Sequence, residues 1–256
     1  AVGHGETVSI KIDNMQIRHD AWAEDASGSN NLSEKKDLPA IGLVSVARGD
    51  GLVTSFHELG AGLVLNGGDT GKASAGELLE SAPAVGRDHV ILLPNDKDVV
   101  LAAEQAAAES GNFLRVVPSR SVVQGLAAAL AYLPEGDVDE IVSTMTESLG
   151  SVQSIEISTS VRDTSVNGIE IRNGDGIGFL DGKLVSSQQT VIETFIQTLK
   201  LADAQDGEIL TIYTGKDMTE DDLESMESDL RHTFSELELD IVDGGQPLYP
   251  IVASLE

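Results

Sequence analysis

Cysteine is absent from the 256 residues, which excludes a disulfide framework and any thiolate metal site and fits a reducing compartment. Aromatic side chains are scarce, at 4%, so the stacking platforms on which single-stranded nucleic acids are held are lacking. Basic residues are outnumbered, 16 against 43 acidic ones, for a net charge of −27. A phosphate backbone or an anionic membrane surface is therefore repelled over most of the molecule, and nucleic acid is not an expected partner. No apolar run approaches the roughly 20 residues that a membrane-spanning helix needs, and the opening stretch lacks the charged-then-apolar pattern of a signal peptide. The expectation is a cytoplasmic chain with no transmembrane segment.

What is present is an ordinary globular composition, 41% hydrophobic and 23% charged, in a chain long enough for one large domain or two modest ones. The first residue is Ala1 rather than methionine, and Val8, Ile10 and Ile12 alternate with Ser9 and Lys11 like a strand with no nearby partner. The expectation is a piece cut from something longer. Residues Glu24 to Leu38, crowded with Asp25, Ser27, Gly28, Asn30, Asn31, Glu34, Lys35 and Lys36, have the composition of a solvated linker. The expected organisation is a tail of a preceding domain over 1–23, a linker over 24–38, a parallel-sheet α/β subdomain over 39–150 and an antiparallel α+β subdomain over 151–256.

After Pro39 the chain alternates apolar strand, small-residue turn and helix. Strands are predicted at Ile41 to Ala47, Gly62 to Leu65, His89 to Leu93 and Phe113 to Val117. The near-continuous apolar run Val90-Ile91-Leu92-Leu93 is that of a strand covered on both faces, and Val99, Val100, Ala103, Ala106 and Ala107 form one helical stripe. Strand–helix–strand units of this kind imply right-handed crossovers and a doubly wound, mostly parallel sheet. Helices are predicted from Val122 to Leu133 and from Val138 to Leu149, separated at Pro134. The period then changes to alternation, with strands at Ser154 to Val161, Gly168 to Arg172 and Gly176 to Val185 and hairpin turns at Asn173-Gly174 and Asp181-Gly182. A helix carrying Ile192, Phe195, Ile196 and Leu199, a strand Ile209 to Tyr213, an acidic helix Glu220 to Glu238 and strands near Leu239 to Val242 and Tyr249 to Ala253 complete an antiparallel second part.

In open α/β sheets, ligands collect beyond the carboxyl ends of the strands. The loops there supply the candidate crevice residues Asp50, Gly67, Gly68, Asp69, Thr70, Asn95, Ser119, Arg120 and Ser121. Small hydrogen-bonding residues in these loops suit either a small polar ligand or plain turn and N-cap chemistry. The segment Asn66 to Ala73 does not form a phosphate-cradling P-loop, because Asn66 stands where its first glycine belongs and Ala73 where its magnesium-binding hydroxyl belongs. Asp163 to Gly168 opens like a calcium loop, but Gly174 replaces the bidentate glutamate, so a β-turn is expected. His4, His19, His57, His89 and His232 have no metal-ligand spacing, and no serine sits in a nucleophile elbow. No metal site and no catalytic residue are predicted. The acidic face of the 220–238 helix reads as solvated, with its first-turn acids complementing the helix dipole.

Several segments stand out as a set: Leu93 to Asp98 followed by Ala102 to Ala107, Val116 to Gly125, Val161 to Thr164 through Gly168, Gly174-Asp175, Leu180 to Lys183, and Gly244 to Pro250. Together they resemble the bacterial fatty acid kinase subunit that joins a dihydroxyacetone-kinase-like ATP domain to a C-terminal region similar to DegV fatty-acid-binding proteins. They run in order from about Pro39 to the end, and Gly5 to His19 looks like the tail of that family's middle domain. The resemblance implies a two-lobed DegV-like fold. It also implies that ATP and magnesium are held by an upstream domain, so no cofactor is expected here and this part is not an enzyme by itself. The implied role is in lipid metabolism, helping a phosphotransferase assemble as a dimer and docking an acyl-carrying DegV-like protein. The alternatives are a dihydroxyacetone-kinase-like small-molecule or phosphate-binding domain and a direct fatty-acid-binding domain. One departure is Gly67-Gly68-Asp69-Thr70, where the family commonly shows Gly-Gly-Gln-Thr, so an acid replaces an amide at the crevice.

Overall fold

A computed structural model of the chain describes residues 40–67, 71–204 and 209–256. The expected strand at Val8 to Ile12, the linker and the segments 1–23 and 24–38 lie outside the described residues.

The first lobe is built on four parallel strands: β1 (Ile41–Val46), β2 (Leu63–Leu65), β3 (His89–Leu93) and β4 (Leu114–Val116), in the order β2-β1-β3-β4. Both faces are covered, which is why β1 and β3 read as unbroken apolar runs. Ile41, Leu43, Ile91 and Leu93 pack against α1 (Asp50–Glu58), α4 (Val122–Leu130) and α5 (Val138–Ser148). The alternate residues Val44, Val46, Val90 and Leu92 meet α2 (Ala75–Ser81) and α3 (Lys97–Glu109) on the other side. The chain leaves β1 toward β2 in one direction and β3 toward β4 in the other. The carboxyl ends of β1 and β3 therefore mark the topological switch point of a doubly wound sheet.

The second lobe carries β5 (Gln153–Thr159), β8 (Gly176–Leu180), β9 (Lys183–Gln188), β10 (Ile209–Gly215), β11 (Glu238–Gln246) and β12 (Ile251–Leu255) in the order β11-β10-β12-β5-β8-β9. Most neighbours are antiparallel, but β10 and β11 run parallel, so the sheet is mixed rather than wholly antiparallel. One face buries Ile155, Ile157, Leu210, Ile212, Ile251 and Ala253 under α6 (Val191–Leu201) and α7 (Glu220–Thr233). The opposite face turns to the first lobe, where α1 lies along β11 and α4 along β12. One helical layer is thus shared between two sheets.

Several boundaries differ from the sequence reading. The 164–171 stretch is a small hairpin, β6 (Thr164–Val166) and β7 (Ile169–Ile171), turning through Asn167 at φ 52 and Gly168 at φ 83. The turn falls where one was expected, but strands of three residues are too short to display an alternation. Helix α4 ends at Leu130, and the Tyr132 hydroxyl donates back to the Ile41 carbonyl at 2.7 Å. Helix α7 stops at Thr233 so that Phe234 and Leu237 can enter the core, and β11 starts at Glu238 to pair with β10.

Candidate functional site

Backbone packing locks the lobes together at one place. The turn after β1, Arg48-Gly49-Asp50-Gly51, meets the bulged end of β11, Asp243-Gly244-Gly245-Gln246, where the register with β10 shifts between Thr214 and Gly215. A Cβ on Gly51 would come within 1.7 Å of the Asp243 carbonyl oxygen, and one on Gly49 within 2.3 Å of the Gly244 oxygen. Neither position tolerates a side chain. Gly49, at φ 108, is accordingly a helix N-cap without any side-chain capping bond, because close approach excludes the serine or aspartate that capping favours.

Beside this latch, at the switch point, lies a cavity of about 380 Å³ between the lobes. The first lobe contributes Arg48 after β1, Asn95, Asp96 and Lys97 after β3, and Arg120 after β4. The second contributes Glu156 from β5, Phe179 from β8, Val252 from β12 and the Gln246-to-Tyr249 loop. Its size is that of a small-molecule pocket. A wider groove of about 910 Å³ opens on the other side of Arg48, with Asp50, Asn66, Lys216 and Asp243 among its walls.

The candidate residues fall into three groups. Asn95, Ser119, Arg120 and Ser121 come together at the ends of β3 and β4, and the first two are engaged with one another. Asn95 sits at φ 57, and its Nδ2 donates to Ser45 Oγ at 2.8 Å and to the Val46 carbonyl at 2.9 Å. Ser119 Oγ donates to Asn95 Oδ1 at 2.6 Å and accepts from the Asn95 amide at 3.1 Å. This buried knot ties the ends of β1 and β3 to the loop after β4. It also explains Gly125 on α4, where a Cβ would stand 1.9 Å from Asn95 Oδ1. Ser121 caps α4 by accepting from the Gln124 amide, whereas Arg120 is exposed at the cavity mouth. Asp50 is exposed on the wider groove, and Gly67, at φ 65, ends the loop after β2. Gly68, Asp69 and Thr70 lie outside the described residues.

Sequence reasoning passed over Glu156. It occupies the polar side of an alternating strand, Ser154-Ile155-Glu156-Ile157, a position that ordinarily faces water. Here the first lobe covers it, and burial raises its pKa to about 7, with the nearby Asp96 carboxylate adding to the shift and Lys97 opposing it. Its carboxyl has no hydrogen-bond partner among the described residues. The Tyr249 hydroxyl is likewise pushed up, by burial first and then by Glu156, Asp96 and Asp98. The other acids of the cavity are occupied: Asp96 caps α3 by accepting from the Asp98 amide at 2.7 Å, and Asp98 pairs with Lys72.

The model of the FakA-like C-terminal family, the C-terminal part of one fatty acid kinase component, matches residues 42–256. Protein YloV of Bacillus subtilis is 32% identical over 254 residues, an alignment covering 99% of this chain and 46% of that protein. The chain thus spans about half the length of the curated relatives it matches. In fold it is similar to a DegV family protein from Thermus thermophilus described by its fatty acid binding, with a TM-score of 0.56 at 11% identity over 85% of this chain and 99% of that one. It is also similar to the dihydroxyacetone kinase of C. freundii, with a TM-score of 0.51 at 12% identity over 97% of this chain and 56% of that one.

Proposed function

The chain belongs to the FakA-like C-terminal family of fatty acid kinases, and from that membership we propose that it is the non-catalytic region of a fatty acid kinase, which assembles the enzyme and receives an acyl-carrying DegV-like protein. The observation that carries this reading is the family match across almost all of the described chain. A second supports it: the polar groups best placed for chemistry at the strand ends, Asn95 and Ser119, are held in a closed network that braces the fold. In this reading ATP and magnesium bind elsewhere in the longer protein, which works in the cytoplasm as a homodimer. Residues 1–23 then end a preceding domain, 24–38 link it onward, and 39–150 and 151–256 are the two subdomains. Among the described residues, no helix is long and apolar enough to cross a membrane.

The rigid loop Pro247-Leu248-Tyr249-Pro250 suits docking. Leu248 is 70% exposed at φ 71, a backbone region that costs a branched residue about 1–2 kcal/mol. The loop is held there by Ser158 Oγ donating to the Leu248 carbonyl at 3.0 Å and by Gln246 Nε2 donating to that of Tyr249 at 3.2 Å. An apolar side chain displayed at such cost is a natural anchor for a partner.

Titration calorimetry of the 256-residue chain against a purified, acyl-loaded DegV-like protein tests the docking. Saturable heat and co-elution are expected; neither appearing at high micromolar concentration would sink the reading. The non-catalytic assignment is lost if the chain alone transfers phosphate from ATP to fatty acid above a heat-denatured control.

A further inference from the structure

The interlobe cavity is lined by Arg48, Lys72, Lys97 and Arg120 beside Asp96, Asp98 and Glu156, a near-even balance of charge in a chain dominated by acids. Arg48, Lys97 and Arg120 arrive from the loops after β1, β3 and β4, and none of the three has an ion-pair or side-chain hydrogen-bond partner among the described residues. In a chain with 43 acids to 16 bases, three unpaired cations at one cavity mouth call for an explanation. Carboxylates are present but engaged: Asp96 in the α3 cap, Asp98 with Lys72. Glu156 enters from the opposite lobe with no hydrogen bond of its own, and in its protonated form it offers a donor to a ligand oxygen.

We propose that this cavity binds a small molecule bearing a phosphate monoester, with Arg48, Lys97 and Arg120 holding the phosphate and Glu156 contacting it from the second lobe. Three cations from three separate loops match a dianion with several acceptor oxygens better than a lone carboxylate, for which one guanidinium suffices. The rest of the cavity has room for more than the phosphate, and Leu52, Phe179 and Val252 give it apolar walls. A short, partly apolar organic phosphate fits both ends. Because both lobes contact it, such a ligand draws them together across the cleft beside the glycine latch. The site goes beyond the docking role; it shares the Pro247-to-Tyr249 loop with the docking surface, but it is tested without any protein partner.

The test is calorimetric titration of the 256-residue chain, at constant ionic strength, with inorganic phosphate, glycerol 3-phosphate and decanoate in separate runs. Glycerol 3-phosphate is expected to bind saturably and more tightly than inorganic phosphate, since the organic body adds contacts. Equal binding of the two assigns free phosphate as the ligand and overturns the organic part. Lys97→Ala and Arg120→Ala alter exposed side chains, so folding should be unaffected, and each should weaken binding about tenfold, the effect of one charge-assisted hydrogen bond. Glu156→Gln, which retains a donor, should bind at least as well as the parent. No saturable binding of either phosphate compound at tens of millimolar overturns the proposal. So does affinity unchanged in both cation variants, or binding of decanoate in preference to both phosphates.

Discussion

The two lobes meet the same cleft with groups in opposite conditions. On the first lobe, the short polar side chains at the strand ends are engaged within the fold, Asn95 with Ser45 and Ser119, Ser121 with α4 and Asp96 with α3, and only the long cations Arg48, Lys97 and Arg120 are left to face the cleft. On the second, Glu156 has no partner, and Ser154 Oγ and Gln246 Oε1 are buried without one among the described residues. A parallel sheet concentrates its loops at one end, where short polar residues can bind neighbouring strands together. A mixed sheet presents a broad face instead, whose polar row finds partners only in whatever covers it. The first lobe therefore supplies a rigid floor, and the second a responsive wall.

Four substitutions put that contrast at risk. The largest effect is expected at the latch: Gly51→Ala places a Cβ 1.7 Å from the Asp243 oxygen and should destabilise by about 3 kcal/mol, as overpacking against backbone does. A denaturant midpoint unchanged from the parent would mean that the lobes are not held there. Next, Asn95→Ala strands Ser45 and Ser119 in the core and should cost roughly 2–3 kcal/mol in chemical denaturation. A cost below that of an ordinary surface change would deny the floor its rigidity.

The third change tests the wall through pH. A carboxyl whose folded pKa is about 7, against an ordinary value of 4.5, binds its proton more tightly folded than unfolded. Its contribution to stability is full at acid pH, falls as pH rises from about 4.5 to about 7, and is flat above that. Glu156→Gln should therefore stabilise the chain by about 1–2 kcal/mol at pH 8 and do little at pH 4. A difference that does not change between those pH values would show that Glu156 is solvated. The smallest effect is expected at Leu248→Gly, which relieves the left-handed strain and should raise stability by up to about 1 kcal/mol while weakening partner docking. Loss of stability instead would make Leu248 a packing residue.

The strands of the first lobe were readable because burial on both faces writes itself as unbroken apolar runs, as in Val90 to Leu93. The helices α3 and α5 were readable from stripes such as Val138, Ile141 and Met145. The parallel β10–β11 pair was less so, since direction is set by where the α7 crossover returns the chain, and alternation is the same in either sense. At the cleft, the loops could be located but not the allegiance of their residues. Asn95 and Ser119 look identical in sequence whether they hold a ligand or each other.

Order along the chain was enough to dictate which elements form and which family they resemble, because backbone period is a local property; the close approach that requires glycine at 49 and 51 was decided by the meeting of the lobes. The environment of Glu156 came from the folded arrangement alone. Alternation along β5 marks which side of the strand is polar, but a strand does not encode whether water or a second lobe lies over that side. The pKa near 7 comes from the covering.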